Sequence, residues 1–418
     1  MILISLFLII IAIFGAPLFA VIASSAMLGF YRLDSDLMIM AIEIQSIASM
    51  PFLAAIPLFT FAGYILSESN APKRLVKLTN SMFGWMPGGL SLVCLAACAF
   101  FTAFTGASGV TIIALGAILY PALKEDGYND KFNLGLVTSA GSLGLLFAPS
   151  LPLILYGVIA KVSIDQLFLA GILPGLLMLF MLSTYSLLIN KHIRKPLSSF
   201  SISKVWASLK ESVWELPLPL IVLGGIYSGF FAVSEAAAIT ALYVIIVEVF
   251  ILREIPIRKL PQIIHSSMIL VGGILIILAV SIASTSYMID AEIPQHLFAI
   301  VKSLIDSQTT FLILLLIFLL ILGAILDIFS AIVLVVPLIL PIASGYNIDP
   351  VHLGIVFLAA MQLGYLTPPV GLNLFIASYR FEKPIMHVYS ATFPFLMILM
   401  ISVILITFFP QLSLFLSN

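Results

Sequence analysis

A pattern of helix-breaking residues occurs twice in this chain, about 220 residues apart. The first copy comprises Thr105-Gly106-Ala107-Ser108-Gly109, Pro121, Gly127-Tyr128-Asn129, Gly144 and Ala148-Pro149-Ser150. The second copy comprises Leu326-Asp327-Ile328-Phe329-Ser330, Pro341, Gly345-Tyr346-Asn347, Gly364 and Thr367-Pro368-Pro369-Val370-Gly371. The segments between these breaks are apolar enough for a lipid bilayer. Because unwound backbone in a membrane needs partners for its amides and carbonyls, such breaks occur only beside protein or a water-filled cavity.

Composition restricts the chain to one class of protein. Its residues are 62% hydrophobic and 9% charged, whereas about 25% of a soluble domain is charged. We therefore expect an all-α polytopic protein embedded in a lipid bilayer. The net charge of -1 comes without a basic run suited to nucleic acid, which excludes that partner. The two cysteines, Cys94 and Cys98, are expected to pack within an apolar helix, because two thiols alone do not complete a zinc site.

Four apolar segments are too short to cross a bilayer alone, since a span needs about 20 residues. These half-helices each follow one of the breaks and cover 110–122, 150–160, 330–342 and 370–379. We predict re-entrant hairpins over 88–122 and 309–342, and broken transmembrane helices over 132–160 and 351–379. This arrangement places fifteen Lys and Arg residues on one side of the membrane and three on the other. Basic residues favour cytoplasmic loops, so the richer side is assigned to the cytoplasm.

The two halves of the chain then run in opposite directions across the membrane. Residues 1–190 and 213–418 form an inverted-topology repeat, and residues 191–212 form a linker, expected to be a surface helix. The N-terminal apolar residues lack a charged region and a small-residue cleavage site, so they are interpreted as mature protein rather than a signal peptide. Paired interruptions at matching positions of two such halves indicate the binding site of a secondary transporter.

The breaks bring unpaired peptide groups to mid-membrane depth. The last carbonyls and first amides of a helix lack intrahelical partners, and aligned peptide dipoles place about half a charge at each helix end. Carbonyl and hydroxyl oxygens suit a hard cation such as sodium, whereas amides at a helix N-terminus suit a carboxylate. One constellation of helix ends can therefore hold both a coupling cation and an anionic substrate.

Other interpretations of the same residues remain open at this point. Glycine and proline also produce simple kinks, and Ser or Thr often bonds back to a carbonyl of its own helix. Asp327 either binds a cation or only holds the hairpin tip. Glu43 and Glu248 receive no role. Gly106-Ala107-Ser108-Gly109 also matches the Gly-x-Ser-Gly pattern of rhomboid-type proteases with His352 as a base, but His352 is expected near the outer surface, far from Ser108.

The chain resembles the large membrane subunit of tripartite ATP-independent periplasmic (TRAP) transporters over nearly its whole length. Seven stretches carry this resemblance: Ile56-Pro57-Leu58-Phe59 with Ala62-Gly63, Phe104-Thr105-Gly106-Ala107-Ser108, Gly144-Leu145-Leu146-Phe147-Ala148-Pro149-Ser150, Ala170-Gly171-Ile172-Leu173-Pro174-Gly175, Gly224-Gly225-Ile226-Tyr227-Ser228-Gly229, Ser234-Glu235-Ala236-Ala237-Ala238 and Leu366-Thr367-Pro368-Pro369-Val370-Gly371 with Asn373-Leu374-Phe375. The family usually shows Ser-Gly-Ser at the first tip and Pro-Pro-Ser at the first break. This chain has Thr105-Gly106-Ala107-Ser108 and Ala148-Pro149-Ser150 there instead.

The resemblance implies an elevator-type transporter of the bacterial inner membrane. It implies a scaffold domain, a mobile transport domain, sodium coupling at two or more sites, and uptake of a small carboxylate or similar organic anion. It also implies two protein partners, a separate small four-helix membrane subunit and a soluble periplasmic substrate-binding protein. A stand-alone sodium/anion transporter of related fold, needing no binding protein, is the alternative.

Three groups of residues are predicted to form the site. One sodium is expected between the first tip and the first break, at Thr102, Thr105, Gly106, Ser108, Gly144 and Ala148. A second sodium is expected between the second tip and the second break, at Gly323, Asp327, Gly364 and Thr367. The organic anion is expected between them, at Gly109, Ser150, Pro369 and Asn373.

Overall fold

A computed structural model describes residues 10, 11, 14–50, 53–191 and 201–417. In these ranges every regular element is a helix, as expected for an all-α membrane protein. Among the described residues, six helices are long and apolar enough to cross a bilayer, or up to eight when each of two bent pairs counts as one span. The predictions for residues 1–9 and for the first part of the linker, 192–200, lie outside the described residues.

The first half contains ten helices in its described residues. They are α1 (Leu18–Arg32), α2 (Met38–Ser46), α3 (Ala55–Glu68), α4 (Ala71–Phe83), α5 (Gly89–Thr105), α6 (Ser108–Ala114), α7 (Gly116–Glu125), α8 (Asp130–Ala140), α9 (Leu151–Ala160) and α10 (Ile164–Ile189). Short 3₁₀ turns follow α2 at Ile47–Ser49 and α8 at Leu143–Leu146. Helices α5 to α7 form hairpin 1, and α8 with α9 forms broken helix 1, which bends by 43°.

The remaining helices begin in the linker and complete the second half. They are α11 (Ile202–Glu211), α12 (Pro217–Pro219), α13 (Gly225–Tyr227), α14 (Val233–Ile245), α15 (Leu260–Asp290), α16 (Ile293–Leu304), α17 (Gln308–Ile325), α18 (Ile328–Gly345), α19 (Pro350–Gly364), α20 (Leu372–Arg380), α21 (Ile385–Phe408) and α22 (Gln411–Leu414). Leu220–Gly224 and Ile246–Ile251 are π-helical, and Ile257–Lys259 is a 3₁₀ turn. Helices α17 and α18 form hairpin 2, and α19 with α20 forms broken helix 2.

The two halves exchange equivalent helices with each other. The second part of each broken helix packs on the return arm of the other half's hairpin: α9 on α18, and α20 on α6. The helices that follow are also exchanged, with α10 against α19 and α21 against α8. Outside the hairpins, α1 packs on α15 and α14 on α3. This reciprocal packing confirms the predicted repeat of hairpin and broken helix.

Matching caps start the two broken helices. The Asn129 side chain accepts a hydrogen bond from the Lys131 amide at 2.9 Å. The Asp349 carboxylate accepts from the Val351 amide at 2.7 Å and the His352 amide at 3.2 Å. Both residues lie just before their helices, where a short acceptor side chain satisfies amides that lack intrahelical partners. The Gly-Tyr-Asn sequences of the two copies therefore lead into equivalent helix starts.

Two details of the predicted breaks are wrong. Helix α7 continues through Pro121 and α18 through Pro341, so neither proline ends a helix. The predicted half-helix 330–342 is the 18-residue α18, and the return arm of hairpin 1 instead bends by 49° between α6 and α7. A proline inside a membrane helix is tolerated because neighbouring groups satisfy the carbonyl that it leaves unpaired.

Candidate functional site

The tip of hairpin 1 is a tight turn that requires glycine. Helix α5 ends at Thr105, and Gly106 follows with φ of +64°, in the left-handed region that other residues seldom adopt. The Gly106 amide donates to the Thr102 carbonyl at 2.8 Å, which closes the helix end. The Thr105 hydroxyl donates weakly to the Ala107 carbonyl across the turn, at 3.5 Å. A Cβ on Gly106 would lie 2.6 Å from the Leu151 side chain, so tip 1 is packed against the start of α9.

A buried hydrogen-bond network joins tip 1 to both broken helices. The Ser108 hydroxyl donates to the Asn373 side-chain oxygen at 2.7 Å. The Asn373 amide in turn reaches the Thr138 carbonyl at 3.5 Å. Both side chains are almost fully shielded from solvent, at 4% and 0% exposed. A residue predicted to bind sodium and a residue predicted to bind the anion thus touch, although 265 positions separate them.

The first tip and the first break meet through Thr102. Its hydroxyl donates to the Gly141 carbonyl at 2.8 Å and shares a hydrogen bond of 2.6 Å with the Thr111 hydroxyl. Gly144 packs directly on α5, since a Cβ there would lie 2.3 Å from the Ala99 carbonyl oxygen. Thr102 and Gly144 were predicted from the sequence, whereas Thr111 and Gly141 were not. Oxygen atoms of hydroxyl and carbonyl type therefore converge where the first sodium is predicted.

Ser150 stands out at the first break. It is the residue before α9, it is fully buried, and its hydroxyl oxygen has no hydrogen-bond partner among the described residues. An unpaired buried hydroxyl costs free energy unless a ligand or water satisfies it. The preceding Ala148 is half-buried, and its peptide bond to Pro149 is cis. Ser150 therefore lies where a polar ligand would be stabilised by a helix start.

The tip of hairpin 2 and the second break are in backbone contact. A Cβ on Gly364 would lie 2.5 Å from the Gly323 Cα atom. The Gly371 amide donates to the Ala324 carbonyl at 3.2 Å. The Tyr365 hydroxyl accepts a hydrogen bond from the Ile328 amide at 2.8 Å. Tip 2 is thus tied to both sides of the second break.

Asp327 caps helix α18. Its carboxylate accepts from the Phe329 amide at 3.0 Å, the Ser330 amide at 3.1 Å and the Ser330 hydroxyl at 2.5 Å. Asp327 is half-buried and lines a cleft of about 310 Å³ between α18 and α15. The structural role considered from the sequence, holding the hairpin tip, is therefore present, and the carboxylate also borders this largely apolar cleft.

Three other predicted residues make ordinary hydrogen-bond or packing contacts. The Thr367 hydroxyl bonds back to the Leu363 carbonyl at 3.1 Å, the pattern typical of Thr in membrane helices. Pro369 is exposed, and its carbonyl accepts from the Tyr389 hydroxyl at 2.6 Å. A Cβ on Gly109 would lie 2.6 Å from the Ile376 side chain, so the start of α6 is in close contact with α20.

The protease interpretation is wrong. A serine nucleophile must be within hydrogen-bond reach of its base. The Ser108 hydroxyl is bound to Asn373, whereas His352 is buried against other residues. Its Nδ1 atom lies 2.6 Å from the Ser413 hydroxyl, and its Nε2 atom lies 3.3 Å from the Thr407 carbonyl. His352 lies at the third position of α19, close to the helix start as expected, and it is 2% exposed because α21 and α22 cover it.

A buried ion cluster outside the site was missed by the sequence analysis. Arg74 on α4 lies 2.5 Å from Glu215 and 3.1 Å from Glu248, and it also pairs with Glu254. Burial raises the pKa of Glu215 above its usual value, against the opposing hydrogen bond from Arg74. Burial also acts on Glu254, but hydrogen bonds from the Asn70 backbone amide and from Arg74 lower its pKa. No spacing in the sequence connects these four residues, which meet only through tertiary packing.

Comparisons with known proteins agree with the fold and the motifs. Residues 2–412 match the family model described as "Tripartite ATP-independent periplasmic transporter, DctM component". The "C4-dicarboxylate TRAP transporter large permease protein DctM" of Pseudomonas aeruginosa is 34% identical over 91% of this chain and 89% of its own length. The "Isethionate TRAP transporter permease protein DctMQ" of Oleidesulfovibrio alaskensis is 32% identical over 90% of this chain and 59% of its own length.

One solved structure extends the comparison to the backbone. The crystal structure of the YdaH transporter of Alcanivorax borkumensis, described as having an unusual topology, matches with a TM-score of 0.61. The match covers 88% of this chain and 86% of that one, at 11% sequence identity. At this identity the likeness concerns the fold alone.

Proposed function

The chain belongs to the family of the DctM component of tripartite ATP-independent periplasmic transporters, and from this premise we propose that it couples uptake of a small organic anion to sodium entry. It is a large permease subunit rather than an enzyme, and a multi-pass protein of the inner membrane. The observation that carries the proposal is the Ser108–Asn373 hydrogen bond, which joins the tip of hairpin 1 to broken helix 2 beside oxygen atoms of broken helix 1.

The oxygen atoms at the two tips and breaks are suitable ligands for sodium as a transported ion. Among the described residues, no group of three or more His, Cys, Asp and Glu side chains could hold a metal ion. The oxygens near Thr102 and Gly141, and those near Gly323 and Asp327, are of hydroxyl, carbonyl and carboxylate type. Hard cations take oxygen ligands, so we assign one sodium to each tip–break pair.

The anion is assigned to the space between the two tips. The buried Ser150 hydroxyl has no partner among the described residues, and Asn373 lies at the second position of α20. A carboxylate is stabilised by amides and hydroxyls at helix starts. Two sodium ions with one monovalent anion would carry one net positive charge inward. Each such charge gains about 2.3 kcal/mol per 100 mV of membrane potential, so the potential would contribute to uptake.

The movement that we propose is of the elevator type. Hairpins and broken helices would move together as a transport domain, because buried hydrogen bonds link tip 1, break 1 and α20. The scaffold would contain α1, α3, α14 and α15, which pack on one another in reciprocal pairs. We further propose residues 1–190 and 213–418 as the inverted repeats, with 191–212 as their linker.

Two protein partners follow from the family. A tripartite transporter works with a small membrane component and a periplasmic component. The DctMQ relative is longer than this chain, which covers 59% of it, and its name joins the letters of the large and small components. We propose that this chain pairs with a small four-helix membrane subunit and receives substrate from a periplasmic binding protein.

The experiment is substrate uptake into proteoliposomes containing the permease with its small subunit and binding protein. A C4-dicarboxylate and isethionate are suitable first substrates, because relatives carry those names. We expect uptake of both to require sodium. With two sodium ions, uptake of the monovalent isethionate should rise with an inside-negative potential, whereas the divalent C4-dicarboxylate would carry no net charge and should not respond. Unchanged uptake after replacement of sodium by choline would refute the coupling. Equal uptake without the binding protein would instead support a stand-alone transporter.

A further inference from the structure

Tyr365 links the second break to hairpin 2 through its side-chain hydroxyl. Helix α19 ends at Gly364, and Tyr365 is the next residue. Although Tyr365 lies at a break between helices, its side chain is only 3% exposed. Its hydroxyl oxygen accepts a hydrogen bond of 2.8 Å from the Ile328 amide, which belongs to hairpin 2. A residue of the broken helix therefore holds the first amide of α18.

The next two amides of α18 are bound by Asp327. The Phe329 and Ser330 amides donate to its carboxylate at 3.0 and 3.1 Å. Each of the first three amides of α18 thus has a side-chain partner, which satisfies donors that a helix start otherwise leaves free. The partner of the first amide is the only one of the three that comes from outside the hairpin.

The equivalent position in the other half lacks this bond. Helix α6 of hairpin 1 starts at Ser108, and the preceding Ala107 makes no side-chain cap. Counting back 220 residues from Tyr365 leads to Leu145, which has no hydroxyl. At the first break the contact is made instead by Thr102 with the Gly141 carbonyl. The tyrosine bond is therefore specific to the second tip–break pair.

Helix packing sets the overall angle of hairpin 2, since α17 lies against α19 and α18 against α9. At the tip itself, Gly323 and Gly364 touch through bare backbone, which allows close approach without a hydrogen bond between them. The Gly371–Ala324 hydrogen bond holds the end of α17 on the far side of the break. The Tyr365 bond holds the start of α18, so the two hydrogen bonds together define the position of the tip from both of its arms.

We propose that Tyr365 is a positioning residue for the second cation site. By fixing the start of α18, its hydroxyl keeps the oxygen atoms of Gly323 and Asp327 at a constant distance from those of Gly364 and Thr367. This inference rests on the proposed sodium coupling. Cation affinity depends on ligand distances, which would change if the start of α18 shifted relative to the break. Tyr365 itself need not touch the ion.

The test is the sodium dependence of uptake by a Tyr365→Phe variant. The variant keeps the aromatic ring but removes the hydroxyl acceptor. We expect the sodium concentration for half-maximal uptake to rise about tenfold, which equals about 1.4 kcal/mol. The maximal rate at saturating sodium should change little. A stabilising effect of sodium on thermal unfolding should move to correspondingly higher concentrations, which a purely structural role would not produce.

A matched control is Tyr156→Phe. Tyr156 is also fully buried, and its hydroxyl donates to the Pro350 carbonyl at 2.7 Å, away from both breaks. This variant should lose similar general stability but keep the wild-type sodium dependence. A tenfold change in the control as well would overturn the proposal, because the effect would then follow from the loss of any buried hydroxyl.

A second variant covers the case in which Tyr365→Phe fails to fold. Tyr365→Met also removes the hydroxyl acceptor, and the flexible methionine side chain can fill irregular space in a core. This variant should show the same rise in the sodium requirement.

The outcomes separate the two proposals. If wild-type uptake needs sodium and both Tyr365→Phe and Tyr365→Met keep the wild-type requirement, the positioning role is wrong and the coupling stands. If wild-type uptake is independent of sodium, the proposed function itself fails. A raised requirement in both variants, with an unchanged control, supports the positioning role.

Discussion

Replacement of Gly364 by alanine tests whether hairpin 2 and the second break must touch. An added Cβ at this position would lie 2.5 Å from the Cα atom and the carbonyl carbon of Gly323, and 2.9 Å from its oxygen. These are backbone atoms, so no side-chain rotation can relieve the overlap. Ordinary contact begins at 3.4 Å, so the tip has to retreat by about 0.9 Å.

Two effects of Gly364→Ala follow from this displacement. Forced overpacking of a well-packed contact costs about 1–3 kcal/mol of folding free energy. A misplacement of about 1 Å in a binding constellation can lower its efficiency about 100-fold, so we expect sodium-driven uptake to fall by about that factor. Uptake is measured in proteoliposomes at several sodium concentrations, and stability is measured by thermal unfolding of the purified protein.

Gly272→Ala is the matched control. Gly272 lies within α15, and a Cβ there would meet no atom within 4 Å. Since alanine is the better helix former by about 1 kcal/mol, this variant should be as stable as the wild type or slightly more so, with normal uptake. Wild-type uptake by Gly364→Ala would refute the claim that the second site depends on backbone contact between tip and break.

Three further predictions concern the hydrogen-bond network and the ion cluster. Ser108→Ala and Asn373→Ala should each weaken substrate affinity, and the double variant should lose less than the sum of both, because the two side chains share one hydrogen bond; uptake kinetics measure this. Arg74→Met should destabilise the protein by about 3 kcal/mol in thermal unfolding, since it leaves Glu248 and its neighbours buried without their cation. Burial raises the pKa of Glu215 in the folded protein above its usual value of 4.5. The contribution of Glu215 to stability is therefore complete below pH 4.5 and is lost as the pH rises through the pKa of the folded protein. Glu215→Gln should flatten this loss of stability in a pH series of unfolding temperatures.

Each of these predictions has an outcome that contradicts it. Additive losses in the Ser108 and Asn373 double variant would mean that the hydrogen bond is not functional. If Arg74→Met had wild-type stability, the glutamates of the cluster would have to be protonated or hydrated in the absence of Arg74. An identical pH profile for Glu215→Gln and the wild type would mean that Glu215 does not titrate on unfolding in this range.

Local sequence signals were sufficient for the breaks that need a special backbone. Gly106 adopts a left-handed conformation that glycine tolerates, and Gly364 permits a backbone approach that any side chain would block. Such requirements exclude nearly all other residues, so they are visible in the sequence. Pro121 and Pro341 failed as signals because a membrane helix can continue through a proline when other groups satisfy the carbonyl that it leaves unpaired.

Pairings across long distances could not be read from the sequence. The Ser108 hydroxyl has many possible acceptors in an apolar chain, and only the exchange of α20 onto α6 brings Asn373 within 2.7 Å. Tyr365 carried no signal because one aromatic residue in an apolar helix usually packs in the core. The sequence assigned no role to Glu248, because its partner Arg74 lies 174 positions away.

The sequence by itself determined that this is a membrane protein with two matching sets of helix breaks, because lipid allows unwound backbone only at specialised positions. It also determined the family, through motifs located at those breaks. The tertiary structure decided which helix ends meet, since the halves exchange their helices and a hydrogen bond depends on distances of tenths of an ångström. Composition and spacing constrain each half separately, whereas the site forms only where the two halves are packed together.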